Sequence, residues 1–352
     1  MKLVIDCRMA NKSGIGVYIT NIVSHLTSTD LFSVKYICND YQIDYLLKTG
    51  CEKCSLIIFK STPFSILEQI EFFFKLPKAD ILWVPHINTP FTKFRYKKLL
   101  VTVHDVFQLS NKHLYNKFVI LYFKMLFKFI KILADKIITV SEFSKKEIVQ
   151  FTNIEQHNIE VIYNGLKPLS TRINENSIFK SRYILSVGNV KPHKNINGLI
   201  AGFNQISDKY PDVYLVIVGQ KDGFYLNQYQ LDKFRSDKVV FTGKVSDQLL
   251  ENYYKNCDMF VFPSTYEGFG LPILEAMFYN KKILSSNIPP VVEIAGDSIN
   301  YFDPNINGDL SSNLDKMLKS TVTLSSNFYK LILEKFTWEN SLQEHIRVLG
   351  TI

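Results

Sequence analysis

The segment Pro263-Ser264-Thr265-Tyr266-Glu267-Gly268-Phe269-Gly270-Leu271-Pro272-Ile273-Leu274-Glu275-Ala276 sets two carboxylates eight positions apart. Glu267 falls in a glycine-rich loop, and Glu275 about one turn into the helix that follows. Loop amides and a helix start can hold phosphate oxygens, while a carboxylate inside the helix can accept both hydroxyls of a ribose. Two carboxylates also suit direct acid/base hydrolysis, but the glycine loop between them argues for phosphate binding. A second segment, Gly188-Asn189-Val190-Lys191-Pro192-His193-Lys194-Asn195, follows the apolar run Tyr183–Val187. Two lysines beside a glycine suit a diphosphate, whose charge they stabilise as it departs. The competing reading is an ordinary solvated loop. His104-Asp105 ends the run Leu99–Val103, where ligands of open α/β sheets sit; the alternative is a buried structural histidine. Gly14 and Gly16, after the first strand, let backbone approach a phosphate at a helix start, or simply make a tight turn. They fail as a dinucleotide fingerprint, because Ile19 replaces the third glycine and strand two ends without an acidic ribose anchor. Ser141 reads as a helix cap.

Apolar, β-branched runs alternating with helical patterns imply parallel α/β layers. The strands predicted in the first half are Leu3–Cys7, Val34–Cys38, Leu56–Phe59, Ile81–Val84, Leu99–Val103, Lys136–Val140 and Glu160–Ile162. In the second half they are Tyr183–Val187, Tyr214–Val218, Val239–Phe241, Met259–Phe262, Ile283–Ser285 and Ile299–Phe302. Helices are expected at Gly16–Ser28, Glu142–Phe151, Asn195–Lys209, Ser246–Asn256 and Pro272–Tyr279. A length of 352 residues suits two domains. The polar stretch Lys167–Ser181 has the composition of a linker between them. The expectation is two Rossmann-like, doubly wound domains facing across a cleft, residues 1–168 and 169–336. A last helix over 337–352, with Trp338, Leu342, Ile346 and Leu349 on one stripe, is expected to bridge back toward the first domain. No repeat of solenoid length is visible.

The chain is 46% hydrophobic and 21% charged, which excludes a disordered protein. Its net charge of +8 is unevenly placed: residues 1–170 hold 22 basic and 14 acidic residues, and the remainder 19 of each. An anionic partner is therefore expected at the first half. Five scattered cysteines suit a reducing cytosol, and Cys51-x-x-Cys54 lacks the further ligands of a metal site. The amino terminus MKLVIDCRMA reads as a buried strand rather than a signal peptide.

These segments resemble, in order and over nearly the whole chain, the retaining GT-B glycosyltransferases of family four (glycosyltransferase group 1). The match comprises SGIGVYI, VTVHD, ITVSEFSKKEI, VIYNGL, ILSVGNVKPHKN, the stretch VFTGKVSDQLLENYYKNCDMFVFPSTYEGFGLPILEAM with its Glu-x7-Glu motif, and FTWEN. The tone of the amino-terminal and KPHKN segments is most like bacterial O-antigen mannosyltransferases. The resemblance implies that Glu275 binds the donor ribose and that Glu267 contacts the donor sugar. Phe269, Gly270 and Leu271 would offer amides to sugar and phosphate, with Gly188 in the phosphate loop. Lys194 would neutralise the diphosphate, His104 would lie beside the anomeric centre, and Gly14 and Gly16 near the donor phosphates across the cleft. One departure is Asn189, where many relatives carry arginine; Lys191 is the nearest substitute cation. The family needs no metal or other cofactor. The reaction implied is transfer of a hexose with retention, by front-face attack, from a nucleotide sugar to a saccharide or polyprenyl-diphosphate-linked acceptor in surface polysaccharide synthesis. GDP-mannose is the favoured donor; a UDP-sugar, another deoxyhexose donor, a sugar-nucleotide epimerase and a phosphorylase are the alternatives.

The segment Lys117–Lys136 reads as a helix on which Lys117, Lys124, Lys128 and Lys131 fall within roughly 60°. Apolar residues fill most of the rest of its circumference. It is too short and too charged to span a bilayer but suits the surface of an anionic membrane, the other reading being a core helix with one wet face. Thr92–Lys98 adds basic and aromatic residues. A cytoplasmic protein peripheral on the inner membrane face is expected. Nucleic acid is not, since these lysines lie among aliphatic residues rather than stacking aromatics.

Overall fold

The computed structural model describes residues 1–10, 13–27, 31–166, 179–220, 237–321, 324–325 and 327–352. The stretch read as a linker, Lys167–Ser181, lies almost wholly outside them. The chain forms two compact units, Met1–Gly165 with Phe336–Ile352, and Leu166–Lys335.

The first unit runs β1 (Lys2–Asp6), α1 (Ser13–Leu26), β2 (Ser33–Cys38), α2 (Ile43–Lys48), β3 (Leu56–Ile58), α3 (Ile66–Lys75), β4 (Ala79–Val84), β5 (Tyr96–Thr102), α4 (Phe107–Ser110), α5 (Lys117–Leu133), β6 (Lys136–Thr139), α6 (Glu142–Thr152) and β7 (Ile159–Val161). Every strand pairing is parallel, in the order β3-β2-β1-β4-β5-β6-β7. Alternate residues of a strand face opposite sides, so β1 sends Leu3 and Ile5 into one core and Val4 into the other. Tyr18, Ile22 and Val23 of α1 close the first core. Phe72 of α3, Phe127 and Ile130 of α5 and Ile148 of α6 close the second.

The last helix, Trp338–Thr351, belongs to this unit. Its Trp338, Val348 and Leu349 are buried in the same core as Leu3, Tyr18 and Trp83. Thr337 caps it by accepting from the Asn340 amide at 3.1 Å. A Cβ on Gly165 would stand 2.1 Å from the Trp338 nitrogen, so only glycine lets the two passages of chain approach there.

The second unit runs β8 (Arg182–Val187), α7 (Ile196–Asn204), β9 (Val213–Val218), β10 (Val239–Gly243), α8 (Asp247–Asn256), β11 (Met259–Phe262), α9 (Leu271–Phe278), β12 (Lys282–Ser286), α10 (Pro289–Ala295), β13 (Asn300–Phe302), α11 (Asp309–Lys319) and α12 (Lys330–Lys335). The last helix is α13, and short 3-10 turns join several of these elements. This sheet is also parallel, ordered β10-β9-β8-β11-β12-β13. Strands covered by helices on both faces are apolar throughout, as all four residues of β11 are buried.

All thirteen predicted strands are present, with ends shifted by up to three residues. α7 stops earlier than expected. The Ile206 amide reaches the Phe203 carbonyl at 3.0 Å, and a 3-10 turn over Ser207–Lys209 replaces further α-helix. α1 starts earlier, at Ser13, so Gly14 and Gly16 lie in its first turn. In each sheet the order reverses beside the first strand of the unit, between β1 and β4 and between β8 and β11. These are the positions where open α/β sheets take ligands.

Candidate active site

At the second unit's reversal point, β8 ends in Gly188, whose amide donates to the Val218 carbonyl at 2.9 Å. The neighbouring strand end comes so close that a Cβ on Gly219 would lie 2.0 Å from the Gly188 oxygen. Asn189 Oδ1 accepts from the Gln220 amide at 3.3 Å, so this side chain is turned to the β9 end. Lys191 then precedes a 3-10 turn, Pro192–Lys194.

The two segments richest in chemistry meet here. The Thr265 amide donates to the His193 carbonyl at 2.7 Å, joining the loop after β11 to the loop after β8. Lys194 Nζ sits 2.5 Å from Glu267 Oε1 and 5.8 Å from the centre of the Phe262 ring. Both members of the pair are mostly buried, where an ion pair outweighs a surface one. Beside them, burial and then the Lys194 charge push the His193 imidazole down to about 4. Ser264 is buried, and its hydroxyl has no partner among the described residues.

Gly270 then turns the chain into α9 with φ of 137°, a conformation that glycine alone adopts without strain. Pro272 in the first helical turn pre-sets φ without losing a needed donor. Phe269 is buried, Leu271 opens the helix, and the first-turn amides carry the positive end of its dipole. Glu275, one turn on, accepts from the Tyr254 hydroxyl at 2.7 Å. Tyr254 comes from α8 and is buried, and its ring stacks 6.1 Å from Tyr279. Burial, with the Glu275 charge, pushes its phenol well above the ordinary value, so it stays a donor. Sequence reasoning missed Tyr254, which lies 21 residues from its partner with no motif between them. The site thus offers a cation, a helix amino terminus and a hydrogen-bonded carboxylate at the carboxyl end of one sheet, a set that can bind a diphosphate and a diol.

Gly188, Asn189, Lys191, Lys194, Glu267, Phe269, Gly270, Leu271 and Glu275 therefore gather in the second unit. His104, Gly14 and Gly16 belong to the first. His104 follows β5, and its Nε2 donates to the Pro85 carbonyl at 3.1 Å. The edge of the Tyr18 ring packs 4.9 Å away. Burial pushes this imidazole down to about 4, so it is neutral at physiological pH and Nδ1 keeps the lone pair. Asp105 accepts from the Phe107 amide at 2.9 Å and so starts α4. Ser141 does the same for α6, accepting from Ser144 at 3.0 Å. Gly16 has a reason within the chain: a Cβ there would stand 2.6 Å from the Ala10 carbonyl, whereas Gly14 has open space.

The first unit's reversal point holds a charge cluster that sequence reasoning also missed. Arg8 is fully buried, with Nε and Nη2 donating to Asp6 at 2.9 and 2.6 Å and Nη1 donating to Glu68 at 2.9 Å. His86 lies 3.2 Å from Asp6, and the Asn88 amide donates to Glu68 at 2.6 Å. Burial alone would raise Asp6, but the Arg8 guanidinium and the hydrogen bonds of its neighbours hold it well below the usual carboxylate range. The signal was Asp6-x-Arg8, two charges at the end of an otherwise apolar strand. Of the cysteine pair, Cys51 is buried and Cys54 exposed, both as free thiols.

The family model for glycosyl transferases group 1 matches residues 171–330, and that for Glycosyltransferase Family 4 matches residues 12–168. The O-antigen chain mannosyltransferase RfbU of Salmonella typhimurium is 27% identical over 319 residues, covering 86% of this chain and 87% of that one. The serotype-specific mannosyltransferase WbdA of Escherichia coli is 28% identical over 81% of this chain, which spans 36% of WbdA's length. Among solved structures, Anabaena Alr3699/HepE superposes with a TM-score of 0.79 at 16% identity, covering 100% of both chains. WaaG, a glycosyltransferase involved in lipopolysaccharide biosynthesis, gives 0.69 at 13% identity over 97% of this chain and 94% of its own. With one family model on each unit and GT-B glycosyltransferases as structural neighbours, the chain belongs to the group 1 glycosyltransferases of family four and has the GT-B fold.

Proposed function

We propose that this protein is a retaining hexosyltransferase that moves mannose from GDP-mannose to a saccharide acceptor, carried on a polyprenyl diphosphate, in the synthesis of a surface polysaccharide. The second unit takes the donor and the first the acceptor. The observation that carries the reading is the placement of Lys194, Glu267 and the start of α9 around one point, with Glu275 fixed by Tyr254. In the reading, Glu275 holds the ribose diol, and the amides of Phe269, Gly270 and Leu271 meet sugar and phosphate beside Gly188. Lys194 leaves Glu267 for the diphosphate, and Glu267 turns to the sugar. The acceptor oxygen bonds to the anomeric carbon on the face from which the diphosphate departs, and its proton passes to the leaving phosphate oxygen. Lys194, the helix dipole and Lys191 meet the charge that develops there. Neutral His104 acts on the sugar, and Gly14 leaves room for phosphate. The mannose preference is supported by relatives named as O-antigen mannosyltransferases.

No helix among the described residues is long and apolar enough to cross a membrane. A lipid-linked acceptor is instead met at the inner face of the cytoplasmic membrane, with the lysines of α5 toward anionic headgroups.

Incubation with GDP-mannose, UDP-glucose and UDP-N-acetylhexosamines, read by donor hydrolysis and thermal shift, tests the donor. Response to UDP donors alone overturns the mannose assignment. An inverted anomer in the product, read by NMR, overturns retention. A loss of turnover in EDTA overturns the metal-free reading.

A further inference from the structure

α3 is folded with its apolar side outward. At 100° per residue, Ile66, Leu67, Ile70, Phe73 and Phe74 occupy an arc of about 120°. All five are exposed, Ile66 by 84% and Phe74 by 68%. The side turned to the protein carries Phe72 together with Glu68, the carboxylate that binds Arg8. Buried charge and exposed phenylalanine reverse the pattern of a helix at a water-facing surface.

This apolar arc is not isolated. Phe73 stacks on Phe94 at 4.4 Å, and the Arg95 guanidinium lies 5.5 Å over the Phe94 ring. Gln69 of α3 accepts from the Phe91 amide at 2.8 Å, and Phe91 stacks 4.5 Å from Phe129 of α5. α3 and α5 also share one core through Phe72, Phe127 and Ile130, so they cover the same face of the sheet. The outer surface of α5 carries apolar residues beside the lysine stripe, as its sequence leads one to expect. Phe118, Leu121, Met125 and Ile132 are exposed alongside it, Phe118 by 83%. Among the described residues, none of Lys117, Lys124, Lys128 and Lys131 pairs with a carboxylate. Lysines 93, 97 and 98, by contrast, are taken up by Asp135 and Asp80.

We infer that the α3/α5 face of the first unit lies on an anionic lipid bilayer, with the side chains of α3 in the acyl boundary and the lysines of α5 at the headgroups. A contiguous apolar patch rimmed by cations is what an interfacial helix presents to such a surface. A second copy of the chain would bring the same four lysines against one another, and an isologous contact gives them no partner. An anionic bilayer satisfies the apolar arc and the lysines together. The inference deepens the lipid-surface part of the proposed function and rests on it for the partner, but not on the donor assignment.

The full chain is floated with phosphatidylcholine vesicles, with and without phosphatidylglycerol, at low and high salt. Wild type is expected to float with the anionic vesicles. Ile70→Ser with Phe74→Ser lowers partitioning by about tenfold or more, as the loss of two buried apolar side chains requires. Replacing the four α5 lysines by glutamine removes the salt-dependent part. Melting by circular dichroism and hydrolysis of GDP-mannose in solution stay at wild-type values in both variants, so flotation without hydrolysis would count against the donor reading alone. Absence of flotation on either vesicle, or flotation indifferent to the α3 substitutions, overturns the inference. So does a solution dimer that the α3 substitutions dissociate while vesicles remain bare.

Discussion

The Tyr18 hydroxyl lies 2.6 Å from His345 Nε2, joining the first helix of the chain to the last across 327 residues. His345 Nδ1 donates to the Ser341 carbonyl at 2.7 Å, which fixes the tautomer and leaves Nε2 as the acceptor. Trp83 Nε1 donates to Thr102 at 3.0 Å, and Thr102 reaches Tyr18 at 3.1 Å. The donors thus run in one direction, from Trp83 through Thr102 and Tyr18 to His345. The Tyr18 ring also forms the wall against which His104 packs.

Tyr18→Phe keeps the ring and removes the hydroxyl, leaving buried groups on His345 and Thr102 without their partner. A loss of about 1–3 kcal/mol is expected, measured as a lower urea midpoint at unchanged slope.

Burial pushes His345 down to about 4, below its value of 6.5 in the unfolded chain. A histidine held neutral in the fold stabilises fully above pH 6.5 and progressively less as pH falls toward 4, since only the unfolded state takes up the proton in that window. The linkage is worth about 3 kcal/mol across the window. Stability should therefore be flat from pH 8 to 7 and decline below 6.5, whereas Asp6 acts only at more acidic pH. His104 and His193 are held neutral in the same way and act in the same window, so His345→Gln, which keeps an acceptor for Tyr18, is expected to remove about a third of the decline in urea titrations.

Lys194 is paired with Glu267 before any donor arrives. Lys194→Gln should lower kcat by about 10²–10³-fold, the scale of losing one charge that faces a developing anion. Lys194→Arg should recover part of it. If kcat is unmoved while only the melting temperature falls, the lysine serves the fold and not the leaving group.

Tyr254 is a positioning residue. Tyr254→Phe removes the 2.7 Å bond to Glu275 and lets its carboxylate rotate. The expected result is a donor KM raised about tenfold with kcat nearly unchanged, because ribose binding contributes alike to ground and transition states. A fall in kcat at constant KM would argue against the ribose role.

The two amino-terminal glycines should separate. Gly16→Ala forces a Cβ toward the Ala10 carbonyl and should cost about 1–3 kcal/mol of stability. Gly14→Ala meets open space, so its melting temperature should hold and any effect should fall on donor affinity.

The parallel strands were legible because both faces of each sheet are covered, which makes runs such as Met259–Phe262 apolar throughout. The residues at their carboxyl ends were legible for the same reason, since they interrupt those runs with glycine and charge. Contacts between distant segments were not. Lys194 and Glu267 are 73 positions apart, and Arg8 and Glu68 are 60, with no periodicity linking either pair. α3 escaped notice on other grounds. ILEQIEFFFK buries a glutamate and exposes three isoleucine or leucine residues, so the usual inference from pattern to core face inverts.

The first unit is assembled from the two ends of the chain, and Trp338, Val348 and Leu349 complete its core. The second is one uninterrupted stretch, Leu166–Lys335. Synthesis on the ribosome therefore delivers every residue of the second unit before the first can close, although the first begins earlier. The unfinished unit waits with the Tyr18 side of its sheet only partly covered, so a chain cut short by even its final helix leaves an exposed apolar surface of the kind that chaperones and proteases engage.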